Sequence, residues 1–314
     1  MTASSGIGRH RFALLVAIAT YVLLFLGGLV TSTGSAPAVP DWPLSFGQVF
    51  PPMVGGVLFE HGHRLAASTV GILTLVLALW TIAREPRPGV RVLAAIMLVT
   101  VILQGVLGGV TVLYKLPLAV SVTHACLAQT FFCLTVAMAI VTGPAWGPPR
   151  VRPIELGAPL PTLAACATVV VFCQLVLGAL VRHMGAGLAI PDFPLAFGRL
   201  VPPLDTPLIA VQFAHRTGAA FVTIMVLTLA GAVWRSHRSE SRVVRLTAFA
   251  VCLLVLQVAL GASIIWTRRA VVPTTAHVVI GAALLATCVT VTLRTGRLAV
   301  VRAVALDIRH GVPA

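Results

Sequence analysis

Phe59-Glu60-His61-Gly62-His63-Arg64 sets a carboxylate, two imidazoles and a guanidinium at the mouth of an otherwise apolar run. Ionisable groups in such a setting are expensive, so they call for a functional reason. A weaker copy, Gln212-Phe213-Ala214-His215-Arg216, recurs about half a chain later, and two more histidines, His124 and His277, stand in apolar surroundings of their own. Paired neutral imidazoles suit a metal centre, and a neighbouring carboxylate adds a group able to carry protons.

The elements that must position these residues follow from composition. With 58% hydrophobic and 10% charged residues and a mean hydropathy of +1.02 over 314 residues, the chain is a membrane protein rather than a soluble one. Its formal net charge of +14 does not indicate nucleic acid, because the basic residues lie in short connections between apolar segments. The six cysteines all fall inside apolar runs, without C-x-x-C or C-x-x-C-H, which argues against a thiolate metal site and covalently attached haem and for buried small residues.

Runs long enough to cross a bilayer occur near 12–31, 57–83, 92–114, 119–142, 161–182, 208–234, 246–266 and 273–293. The first is expected to be retained rather than cleaved, since it is long for a signal peptide and its repeat partner near 161–182 is internal. Arg9 and Arg11, Arg84 to Arg91, Arg150 and Arg152, Arg235 to Arg245 and Arg294 to Arg309 fall on one side. Lys115, Arg182, Arg199, Arg268 and Arg269 fall on the other, with Arg64 and Arg216 just inside helix ends. The positive-inside rule then places both termini in the cytoplasm, in a multi-pass protein of the cell membrane.

The chain is also duplicated. Gly27–Gly47 reads GGLVTSTGSAPAVPDWPLSFG and Gly178–Gly198 reads GALVRHMGAGLAIPDFPLAFG; His63-Arg64 matches His215-Arg216, Gln104 and Gly108 match Gln257 and Gly261, and His124 matches His277. A Pro- and Gly-rich linker at 143–160 separates an N-terminal half, 1–142, from a C-terminal half, 161–314. The expected fold is all-α: eight transmembrane helices as two tandem four-helix bundles related by pseudo-twofold symmetry. Gly105-x-x-x-Gly109 is read as a helix-packing motif.

Helices two, four, six and eight run inward from the outer face, and each carries a repeat-matched histidine five to seven residues from its start. At 1.5 Å per residue all four lie about 8–11 Å deep. Two imidazoles facing each other without thiolate or carboxylate suit a haem iron held from both sides, in the pairs His63 with His124 and His215 with His277. Zinc or copper is the competing metal, for which two histidines alone make a poor closed site. Arg64 and Arg216 suit haem propionates or snorkel to headgroups. Gln104 and Gln257 contact haem, a ligating histidine or another helix. His10, His61, His183, His237 and His310 break the duplication and are assigned surface or interfacial roles.

Glu60 lies three residues before His63, about 60° around a helix, where the other half has Gln212. Two readings stand for it, proton transfer and an i,i+4 salt bridge to Arg64; the asymmetry favours chemistry in the first half. The outer loops Pro40-Asp41-Trp42-Pro43-Leu44 and Pro191-Asp192-Phe193-Pro194-Leu195 are either lids over the histidine pairs or interfacial turns.

Glu60-x-x-His63-Arg64, Thr123-His124, both P-D-[WF]-P-L loops, Gln212-x-x-His215-Arg216 and Ala276-His277 together resemble haem A synthases over nearly the whole chain. The resemblance implies oxidation of a methyl group of haem O to a formyl group, by two hydroxylations and loss of water. It implies substrate haem between His63 and His124 with Glu60 needed for activity, and a haem B cofactor between His215 and His277. Haem O synthase and terminal oxidase assembly factors would be partners. Many bacterial members carry a cysteine pair flanking the loop; here Val39 and Ser45 stand there, and Ile190 and Ala196 in the second half. The alternatives are a bis-histidine di-haem electron carrier of the cytochrome b kind and a duplicated transporter.

Overall fold

A computed structural model describes residues 3–146, 160–236, 238 and 241–309. Most of the linker expected at 143–160 lies outside the described residues, as do His237 and His310. Eight long helices follow in order: α1 Ala3–Ser32, α2 Gly56–Arg84, α3 Pro88–Leu113, α4 Leu118–Thr142, α5 Leu160–His183, α6 Pro207–Ser236, α7 Ser241–Trp266 and α8 Val271–Arg309. All eight are long and apolar enough to cross a membrane, and each apolar run read from the sequence falls within one of them to within a residue. The chain is an all-α, multi-pass membrane protein, in which helices satisfy their own backbone groups where no water can. Buried threonine hydroxyls do the same; those of Thr20, Thr74, Thr247 and Thr295 donate to the carbonyl four residues back.

Local sequence sets the ends. Pro88 opens α3, where its missing N–H is no loss. The α3–α4 turn closes through Lys115 and Leu116 at φ 56° and 61°, and the α7–α8 turn through Arg268 and Arg269 at 50° and 68°. In both, the second left-handed residue returns its N–H to a carbonyl in the last helical turn, Leu116 to Thr111 at 2.7 Å and Arg269 to Ile264 at 2.8 Å. Helix α8 runs past the expected end near 293. Arg294 donates to the Ala145 carbonyl, and Arg294 and Arg297 lie over the Trp146 ring.

Helices α1 to α4 pack as a ring, each on the next and α4 back on α1; α5 to α8 do the same. The two rings meet through α1 on α8, α4 on α8 and α4 on α5, and exchanging the rings leaves this set of neighbours unchanged. Val16, Leu77, Met97 and Met138, one from each of α1 to α4, fill the first ring; Val171, Val226, Leu254 and Leu285 do so in the second. At the seam Tyr21 stacks on Phe132 and donates to the Val279 carbonyl, and Gly28 admits Thr275 of α8. Arg182 of α5 reaches across to the Gly28 carbonyl and Ser32 Oγ of α1.

Candidate functional site: two histidine pairs beneath two loops

Each outer loop folds on itself first. Ser45 and Gln48 exchange both backbone hydrogen bonds at 3.0 Å around Phe46 and Gly47, which both have positive φ. That is the I′ type of tight turn, for which glycine at the second central position is suited. Asp41 braces it: its two carboxylate oxygens accept the N–H groups of Phe46 and Gly47 at 2.7 and 2.8 Å. Asp192 does the same for Phe197 and Gly198. These hydrogen bonds, that of Gly47 foremost, hold the Asp41 carboxyl below the usual carboxylate range, and Gly198 and then Phe197 do so for Asp192.

The loops then dock on the helices. Arg64 Nη1 donates to the carbonyls of Asp41 and Leu44 at 2.8 and 2.9 Å, and Arg216 donates to those of Leu195 and Ile190 at 2.9 and 3.0 Å. The guanidinium groups expected to reach propionates or headgroups are thus turned onto loop carbonyls. Trp42 lies against α3 at Gly109, where a Cβ would come within 2.7 Å of the indole. This overturns the reading of Gly105-x-x-x-Gly109 as a helix-packing motif: Gly109 makes room for a loop side chain, and a Cβ on Gly105 would meet nothing within 4 Å. In the second half Ala262 replaces Gly109, the smaller Phe193 replaces Trp42, and Phe193 meets Trp266 edge-on at 6.2 Å.

Below the loops, each repeat-matched histidine is backed by a glycine of the preceding helix. A Cβ on Gly27 of α1 would stand 3.0 Å from His63 Cε1; on Gly108 of α3, 3.2 Å from His124 Cε1; on Gly178 of α5, 3.1 Å from His215 Cε1; on Gly261 of α7, 3.3 Å from His277 Cε1. A methyl group at any of them would crowd the ring, so the glycines are the clearances that let imidazoles turn inward. The matched glycines stand in the sequence, but their pairing with histidines depends on helix rotation.

His215 and His277 face each other with ring centroids 6.4 Å apart and planes at 67°. His277 Nδ1 donates to the Gln257 carbonyl at 3.1 Å, which leaves the Nε2 lone pair for a ligand. Gln104 addresses His124 with its side chain, donating to its carbonyl at 3.0 Å and standing 3.3 Å from Nε2. Gln257 makes the matching approach through its backbone. Gln174 was not singled out from the sequence: its amide nitrogen donates to the His215 carbonyl at 2.8 Å and lies 3.0 Å from Nδ1. Its repeat partner is Leu23, so a search for matched polar residues passes over it; a polar residue in an apolar helix was the available signal.

Glu60 and Gln212, both buried, share one task. Val39 N–H donates to Glu60 Oε2 at 2.9 Å, and the matching Ile190 N–H donates to Gln212 Oε1. They differ in the rest: Glu60 Oε1 takes Arg64 Nη2 at 2.6 Å, so the salt bridge weighed from the sequence is present, whereas Gln212 Nε2 donates to the Gly187 carbonyl at 2.9 Å. Two histidines assigned surface or interfacial roles lie elsewhere. His61 is 5% exposed and meets Ser45 Oγ with Nδ1 at 2.8 Å, because the loop folds over that face of α2. His10 is half-buried with Nδ1 3.0 Å from the Ala139 carbonyl of α4.

The second-half residues fit a haem held from both sides. Two imidazole nitrogens at a metal–nitrogen distance of about 2 Å from one centre leave ring centroids roughly 6 Å apart, close to the separation found. Among the described residues no three His, Cys, Asp or Glu side chains gather as a site for a metal ion, so a closed zinc or copper site has no ligand set here. In the first half the Nδ1 atoms of both His63 and His124 are buried without a hydrogen-bond partner. Buried polar atoms of this kind point to a missing ligand or partner.

Comparison with known proteins agrees with this geometry. The chain is 34% identical to a heme A synthase of Symbiobacterium thermophilum over 244 residues, covering 75% of this chain and 78% of that one. It is 29% identical to a heme A synthase of Shouchella clausii over 267 residues, 84% and 88% of the two chains, and 30% identical to one of Staphylococcus haemolyticus, 80% and 84%. Residues 54–289, from just before α2 into α8, match the family described as cytochrome oxidase assembly protein, COX15-CtaA, and the chain belongs to that family.

Proposed function

We propose that this protein is a haem A synthase, an oxidoreductase that takes haem O as substrate and oxidises one ring methyl to a formyl group. The first ring of helices is the reacting half, with His63 and His124 as the substrate's iron ligands and Glu60 as the proton-handling group. The second holds haem B between His215 and His277, and when bound that group supplies one-electron transfer. Each half is a bundle in its own right, related to the other by a twofold axis along the membrane normal, with both termini cytoplasmic and the loops outside. Haem O synthase and terminal oxidase assembly factors are the expected partners, one as source of substrate and the other as destination of product.

The observation that carries this reading is one contrast between two like sites. Both have paired histidines, glycine clearances and a loop pinned by an arginine, yet only the first has a carboxylate, Glu60, beside its histidine. A cofactor site has no need to move protons, whereas oxidation of a methyl group to a formyl group couples proton movement to electron transfer. Glu60 is placed to hold a proton at Oε1 or Oε2, Arg64 tunes its charge, and the loops close the outer mouths. Arg64 and Arg216 act on bound haem through those loops, while Gln104 and Gln257 orient His124 and His277.

Extraction and mass identification of the bound porphyrins tests the reading. Haem B together with haem O or haem A is expected; two haems B and no conversion of added haem O would make the protein an electron carrier instead. H215A and H277A should lose the haem B absorption, and H63A and H124A should keep it while haem A formation stops.

A further inference from the structure

We propose that His61 and Ser45 are positioning residues of the reacting half, which fix the Arg64–Glu60 pair against the loop. The inference rests on the reading of the first half as the reacting one. Ser45 is fully buried and His61 nearly so. Ser45 Oγ stands 2.8 Å from His61 Nδ1 and accepts from Arg64 Nη1 at 3.3 Å. One hydroxyl can serve both by donating to the ring nitrogen and accepting from the guanidinium. Arg64 in turn donates to Glu60 Oε1 at 2.6 Å, and Glu60 Oε2 accepts Val39 N–H. The contacts run without a break from His61 to Glu60 and pin the loop at both Val39 and Ser45.

The second half contains the control. Ala196 matches Ser45 and Phe213 matches His61, so both members of the polar pair are replaced together by apolar ones. Arg216 hydrogen-bonds its loop through the Leu195 and Ile190 carbonyls and leans over the Phe193 ring at 5.8 Å. A loop can therefore be docked without the Ser–His pair. What the pair adds is a side-chain hold on the arginine beside the carbonyls of Asp41, Leu44 and Val39, present only where that arginine meets a carboxylate. His61 Nε2 is buried without a partner, an arrangement that docking does not require, since Phe213 avoids it.

The test compares wild type, S45A, S45T, the double variant S45A/H61F and H63A as purified full-length protein. Haem A formation is followed against haem O concentration, with haem B absorption recorded for each. S45A/H61F rebuilds the apolar pair of the second half. It should retain haem B and the KM for haem O while kcat falls about tenfold, within the roughly 10²-fold that a misplacement of a reacting group by about 1 Å can cost. S45A should do the same, and S45T, which keeps the hydroxyl, should recover most of the loss. A wild-type kcat in S45A/H61F overturns the proposal, as does a rise in KM alone. Loss of haem B absorption in S45A and S45T alike would show a merely structural role and overturn it too. If H63A still converts haem O, the assignment of the reacting half fails instead.

Discussion

Arg64 Nη2 donates to Glu60 Oε1 at 2.6 Å, one turn apart on α2, with the two side chains 14% and 5% exposed. The pair is local to one helix, yet its surroundings come from the loop that precedes that helix: Val39 N–H on the carboxylate, and the carbonyls of Asp41 and Leu44 on the guanidinium. A buried ion pair gains from such extra hydrogen bonds, because they replace the water both ions have lost. The same construction in the second half keeps the arginine and the loop but carries an uncharged amide in place of the carboxylate.

E60Q turns the first site into a copy of the second. The amide oxygen still accepts Val39 N–H, as Gln212 accepts Ile190 N–H, so loop and fold should persist and haem B absorption should match wild type. Haem A formation should fall by about 10²-fold or more, the usual share of a general acid–base group. Cells supplied with haem O and assayed for haem A provide the measurement, and unimpaired conversion would remove Glu60 from the mechanism.

G178A and G261A each put a methyl group 3.1 or 3.3 Å from a histidine Cε1. Overpacking of this order costs about 1–3 kcal/mol, and the ring is the part free to move. Both variants should shift or bleach the haem B spectrum. G105A, whose new methyl meets nothing within 4 Å, should leave it unchanged. A normal spectrum in G178A and G261A would show that the rings do not need these clearances.

G109A collides with the Trp42 indole. W42F/G109A restores the combination found in the second half, where Phe193 and Ala262 coexist. The single variant should lower thermal stability by about 1–3 kcal/mol and the double variant should recover most of it, a coupling readable in a double-mutant cycle. Additive losses would mean that loop and helix are not in contact.

Acid should release the loops late. Hydrogen bonds from Gly47 and Phe46 depress the Asp41 carboxyl, so its folded pKa lies below the unfolded value of about 3.9. Its contribution is therefore complete above that value and is lost as pH falls through the folded one. Corrected for intrinsic rates, exchange of the Phe46 and Gly47 amides should stay flat from pH 7 to about 4 and rise only below. A rise already between pH 7 and 5 would contradict the bracing role, and D41N, which keeps a single acceptor oxygen, should raise exchange at all pH values.

Much of this protein is legible without coordinates, and for definite reasons. A bilayer accepts only segments that satisfy their own backbone, so eight apolar runs become eight helices. Duplication aligned His63 with His215 and His124 with His277 and exposed Glu60 against Gln212. Pro40 and Asp41 announced a turn through their own backbone preferences; the left-handed Phe46 did not. Other features depend on how helices rotate about their axes and on where loops come to rest. The broken duplication points His61 to a surface or interfacial role, but the returning loop with Ser45 covers it. Gln174 became a partner of His215 only because α5 and α6 pack face to face, and Gly27 met His63 only through the rotation of α1 against α2. The sequence by itself determined the helices and the internal match between the two halves, which are local properties or follow from direct comparison of segments. The tertiary structure alone decided which glycine clears which ring, and that both arginines turn to the loops, because such contacts join residues that no local rule connects.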